Sequence, residues 1–187
     1  MTTIDDGSAD QGAAAPRRVI VGPDETGRST VVSEGSALAR TVRPNGSVVQ
    51  EIWRQERLPA RADDNGTRTG EMEQMPPEAG VSIRMFTIPP DRRAGTAVEL
   101  AAPAALAERG RSEPSASIPK MRRTDSLYVA TVISGEAYVV LETGDVLLRA
   151  GDSLVLPGSM HAWRNVTDSP ATLITTVFHL AHDAPVL

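Results

Sequence analysis

Cysteine is absent from this 187-residue chain, which excludes disulfide cross-links and thiolate metal sites together. Lysine occurs once, at Lys120, so arginine carries nearly all the positive charge. With the many alanines, that bias reads as a GC-rich bacterial genome. Histidine is almost as scarce: His161, His179 and His182 all fall in the last 27 residues. Any imidazole-rich metal site must therefore form at the C-terminal end. Long apolar runs are missing too, and no stretch nears the roughly 18 residues of a membrane span. Met1 to Pro16 lacks the basic start and apolar stretch of a secretory signal and reads as a disordered tail. These absences predict a cytoplasmic protein. The formal charge of -5 comes from interspersed carboxylates and guanidiniums, with no basic face, so nucleic acid is not an expected partner.

What is present is strand after strand. Apolar residues alternate over short stretches bounded by Gly, Pro, Asp and Ser. Arg18 to Gly22 and Ser29 to Ser33 flank a turn-forming stretch, Pro23 to Gly27, and predict a hairpin over 17–34. Ser47 to Trp53 and Val81 to Ile88 are further strands, with a polar loop from Leu58 to Gly80 between them. Residues 89–119 read as an inserted loop, with a short helix at Ala101 to Glu108. From Leu127 six strands follow closely: 127–133, 137–141, 146–148, 153–156, 161–166 and 172–180. Such spacing requires a β-sandwich or barrel. No βαβ unit, phosphate loop, nucleophile elbow or Ser/His/Asp constellation occurs. The expected organisation is a tail at 1–16 and one all-β domain over 17–187. Its N-terminal strands cover 17–60, its barrel 81–180, and its core 120–180.

Two segments carry a resemblance. Val132-Ile133-Ser134-Gly135-Glu136 resembles the end of the first cupin motif. Gly151 to Asn165 resembles the second, with Gly, five residues, Pro157, a glycine-bearing turn, His161, and Asn165 four later. Only the turn glycine, Gly158 rather than residue 159, is off pattern. A fainter likeness to type-2 conserved-barrel cupins runs through Arg17 to Ser29 and from Trp53 to Pro59. The resemblance implies a cupin jelly-roll barrel with an N-terminal hairpin extension.

In that family a His-x-His, a Glu and the second-motif His hold a divalent metal. Counting back from Gly135 puts Tyr128 at the Glu position. The His positions fall on Arg122 and Thr124, or on Met121 and Arg123 if the spacing is one longer. Arg122 cannot shed its proton and repels a cation. Only His161 remains, so no metal or other cofactor is expected; a non-standard site would use His161 with His179, or with Asp125 or Glu136.

The resemblance instead implies a small apolar cavity holding a small-molecule ligand. His161, Tyr128 and Arg122 are its candidate catalytic groups, and Arg123, Trp163 and Thr124 its candidate binding groups. His161 would move a proton, Arg122 or Arg123 would hold an oxyanion, and Tyr128 would assist. Asn165 is expected to secure the following turn, His179 to be structural, His182 to be exposed, and Met85 and Met160 to soften the wall. Three functions fit: a metal-independent lyase, isomerase or cyclase; a non-catalytic binding or sensory cupin; or a metal-dependent oxygenase or decarboxylase with unusual ligands. A homodimer paired through the hairpin is the expected assembly.

Overall fold

The computed structural model describes residues 15–37, 39–61, 64, 66, 72–73, 75–91, 111–112 and 121–181. Twelve strands form among them: β1 (Arg17–Pro23), β2 (Ser29–Ser36), β3 (Ala39–Val42), β4 (Val48–Gln55), β5 (Val81–Ile88) and β6 (Arg111–Ser112). The others are β7 (Ser126–Ser134), β8 (Glu136–Leu141), β9 (Gly144–Arg149), β10 (Ser153–Pro157), β11 (Ala162–Arg164) and β12 (Ala171–His179). A six-stranded sheet runs β10-β7-β12-β5-β4-β3, and a four-stranded sheet runs β11-β8-β9-β6. β1 and β2 pair only with each other. The all-β barrel expected from the sequence is the fold of the described residues.

The hairpin is closed by Asp24, whose carboxylate accepts bonds from the Thr26 and Arg28 N–H groups and the Thr26 hydroxyl. At the first motif, Gly135 has φ 71°, a left-handed value that glycine adopts freely. A Cβ there would also lie 2.7 Å from the Pro170 carbonyl oxygen. Gly158, the off-pattern glycine, has φ 67° and donates its N–H to the Ser126 carbonyl. The left-handed residue of this turn is thus 158, which is where the glycine stands.

Between the sheets lies one core. Val49, Phe86, Ile88, Ala130, Val132, Ala137, Val139, Leu148, Ala171 and Leu173 are its buried members. In the large sheet, register sets these side chains in rows: Val132, Leu173, Phe86 and Val49 face one another across β7, β12, β5 and β4. Two residues further along each strand, the next row is Ala130, Thr175, Arg84 and Glu51. Side chains two apart share a face, so the inner surface changes from dry to polar within one row.

The strand pattern differs from expectation in a few places. β3 and β6 have no counterpart among the expected strands: β3 is a four-residue edge strand, and β6 turns two residues of the supposed loop 89–119 into the edge of the small sheet, opposite β9. The strand expected at 161–166 is only Ala162–Arg164, because Asn165 leaves the ladder to bind the turn after it. The helix at 101–108, most of the N-terminal tail, and His182 lie outside the described residues.

Candidate functional site

The polar rows open into a cavity of about 50 Å³ at one end of the sandwich. At 10–15 Å³ per water, that is room for roughly three to five waters, hence for one small ligand. Its walls come from β4, β5, β7, β11, β12 and the segments before them. Arg122, Thr124, Ser126 and Tyr128 enter at two-residue intervals, followed by His161 and Trp163. That alternation decides the spacing: Arg122 and Thr124 line the wall, whereas Met121 and Arg123 do not.

His161 is 5% exposed. Its backbone forms an isolated antiparallel bridge with Arg122, through N–H donations in both directions at 3.0 and 3.1 Å. The ring is oriented by Nδ1, 2.9 Å from the Ser159 carbonyl oxygen. A carbonyl only accepts, so Nδ1 carries the proton and the neutral ring keeps its lone pair on Nε2. Nε2 bonds to no described residue. Burial, and then the Arg122 charge, push the imidazole below its usual pKa, against the opposing pull of the Ser159 carbonyl. The ring is therefore neutral at pH 7.

Tyr128 faces His161 with ring centroids 6.4 Å apart. Burial pushes its phenol up to about 12, despite a hydrogen bond with Thr175 and the nearby Arg43, Arg84 and Arg122 charges. It is a hydrogen-bonding group that stays protonated. Trp163 lines the wall and meets Phe86 edge-on at 6.3 Å. Thr124 accepts a hydrogen bond from the Ser126 hydroxyl.

Two arginines outside the sequence motifs stand beside these groups. Arg43 follows β3 and lies over the Phe86 ring at 5.5 Å. Burial, and then repulsion from Arg122, lower its pKa. Arg84, on β5, is buried, with Nε donating to the Ser82 hydroxyl at 2.8 Å and Nη2 to the Glu73 carbonyl at 2.9 Å. The sequence holds a signal for Arg84: it is the only charged residue in the apolar strand Val81–Ile88. Arg43 has none, because a turn residue after a short edge strand looks like any solvated cation.

The expected apolar cavity is thus cationic on one side and apolar on the other. Arg123 is exposed and stands away from the wall. Met75 lines the cavity, in place of Met85 and Met160. His179 ends β12 and does not face the cavity. Asn165 is fully buried and grips its turn as expected: its amide donates to the Ile88 and Ser169 carbonyls and accepts from the Thr167 N–H.

A metal does not fit this wall. One imidazole faces three guanidiniums, and no described carboxylate lines the cavity. Glu136 pairs with Arg149, and Asp125 lines no part of the site. Among the described residues no three His, Asp or Glu side chains gather as a metal ion requires.

With strand order and site geometry in view, comparison with known proteins finds one family match, over the C-terminal part of the chain. Residues 110–177 match the cupin domain family, Cupin_2. Residues 110–177 of this chain carry a cupin domain. No curated protein matches it. Among solved structures this chain is similar to a Cupin 2 conserved barrel domain protein from Salinispora arenicola, at 15% identity, covering 74% of this chain and 81% of that one, with TM-score 0.39. It is also similar to a sugar phosphate isomerase of the cupin superfamily from Silicibacter pomeroyi, at 14% identity, 89% and 72% coverage, and TM-score 0.41. The cupin domain of Cnp3 from Schizosaccharomyces pombe is a third, at 9% identity, 87% coverage of each chain, and TM-score 0.46.

Proposed function

We propose that this cupin binds a small carboxylated or carbonyl metabolite in its cavity, where His161 moves a proton without a metal, as a lyase, isomerase or cyclase requires. One observation carries the reading: a buried neutral imidazole, its Nδ1 committed to Ser159, holds an Nε2 that bonds to no described residue in a cavity lined by guanidiniums. Nε2 takes the proton from a carbon beside the ligand's carbonyl. The electron pair left behind moves onto the carbonyl oxygen as an enolate, which Arg122 stabilises in place. The Tyr128 hydroxyl turns from Thr175 to add a hydrogen bond. On a hydroxycarbonyl ligand, returning the proton to the former carbonyl carbon while the hydroxyl proton passes to the old carbonyl oxygen completes an isomerisation; expelling a group from the neighbouring carbon completes an elimination.

The test is solvent exchange. The protein is incubated in deuterated water with a panel of small 2-oxo acids and hydroxycarbonyl compounds, and NMR follows line broadening and loss of carbon-bound protons. At least one compound is expected to bind and exchange. His161→Gln should slow that exchange by about 10²- to 10⁴-fold while leaving broadening in place. Binding without exchange in the unaltered protein would instead make it a non-catalytic ligand-binding cupin.

A further inference from the structure

The cavity's cations are not equivalent, and the difference specifies the ligand's charge. Arg84 is balanced within the protein. Glu51, 2% exposed, sits opposite it in the β4–β5 register, with carboxylate to guanidinium at 3.8 Å. The same carboxylate lies 3.7 Å from Arg54 and accepts the Ser82 hydroxyl at 2.6 Å. Arg54 has two further partners, Glu56 at 2.8 Å and Glu73 at 2.7 Å. The charge of Glu51 is therefore available to Arg84. Arg43 and Arg122 differ: neither forms an ion pair with any described residue, although both line the cavity and repel each other.

We propose that the ligand is a compact dianion, its two negative charges or its single doubly charged group held between Arg43 and Arg122. This rests on the cavity being a ligand site and adds the charge that the ligand must bring. Arg122 is exposed and Arg43 half-buried, so a monoanion held by Arg122 would leave the Arg43 guanidinium uncompensated where keeping a charge out of water is costly. A guanidinium presents paired N–H groups that match carboxylate and phosphate oxygens, so two of them can grip one tetrahedral dianion or one short dicarboxylate. The small volume excludes a long ligand whose acid groups lie far apart. Arg122 also shares its backbone bridge with His161, so the anion grip and the proton-transfer group are hydrogen-bonded side by side.

The experiment is calorimetric titration of the full chain with sulfate, inorganic phosphate, malonate and acetate, near pH 7.5 at constant ionic strength. The best dianion is expected to bind at least about tenfold tighter than acetate. Arg43→Gln and Arg122→Gln should each weaken that dianion at least about tenfold, with unchanged circular dichroism melts confirming that they fold. Binding of sulfate and phosphate assigns the site to a phosphate-type group, and binding of malonate alone to a dicarboxylate; both support the charge assignment. A smaller ratio, variants without effect, or no binding of any dianion overturns it. The two readings fail separately. A dianion that binds while no compound exchanges protons sinks the proton transfer alone. Exchange on a monoanion, with no preference for dianions, sinks the charge assignment alone.

Discussion

At His161 the protonation state follows from burial, the Ser159 carbonyl and the Arg122 charge. Burial is the largest influence, and both burial and Arg122 favour the neutral ring. Its pKa when folded therefore lies below the 6.5 of a free histidine. The sign of the pH effect follows. Above pH 6.5 both folded and unfolded forms are neutral, and the contribution of this group to stability is whole. Below it the unfolded chain takes up the proton first, and the contribution is lost as pH falls through the folded value. An NMR titration should show the His161 midpoint below 6.5, and Arg122→Gln should raise it only part of the way, since burial persists. The stability difference between the unaltered protein and His161→Gln should shrink on acidification through that window. A midpoint at or above 6.5 would defeat this account.

Among the elements, the junction of the two sheets depends on one buried cation. Arg164 on β11 reaches Asp91, just after β5, at 3.7 Å and Asp145 on β9 at 3.5 Å. Burial raises the pKa of both carboxyls, and Arg164 opposes that rise. Removing the guanidinium strands two carboxylates, so Arg164→Ala should cost about 3–5 kcal/mol in chemical denaturation. A loss below about 1 kcal/mol would show that the carboxylates find other partners. Gly135 is the matching test of the β7–β8 turn. Gly135→Ala brings both a left-handed φ and a contact with the Pro170 carbonyl, and should destabilise by about 1–3 kcal/mol. Gly135 is legible in the sequence because its turn lies between two alternating runs. The Arg164 bridge is not, because its partners come from strands paired only in three dimensions.

For the molecule as a whole, β1 and β2 project a hairpin that forms no sheet with the barrel. Val19, Val21, Val31 and Val32 on it are 42%, 63%, 53% and 51% exposed. A lone two-stranded hairpin is marginal in water, and clustered exposed valines mark a surface that another surface covers. A second copy of this chain is the expected occupant, and light scattering should give twice the chain mass. Replacing Val21 and Val31 with Asp should return the monomer mass, whereas a monomer without those changes would refute the pairing. Metal content is the other test at this scale. Untagged protein refilled with Fe, Mn, Ni or Zn should hold each well below one equivalent, and a full equivalent of any would contradict the donor set. Among the described residues no helix is long and apolar enough to cross a membrane.

The strands of the barrel and its motif turns are written locally, in two-residue alternation and in glycines that only a turn needs, so sequence alone determined the fold. The same alternation puts Arg122, Thr124 and Tyr128 on one face, whatever strands pair beside them. Arg43 and Arg84 come from segments distant in the chain, and Glu51 neutralises Arg84 only because β4 and β5 are paired in that register. Charge balance in a cavity is a sum over neighbours in space. Tertiary structure alone therefore decided which arginines beside His161 pair with no described residue, and with them the charge proposed for the ligand.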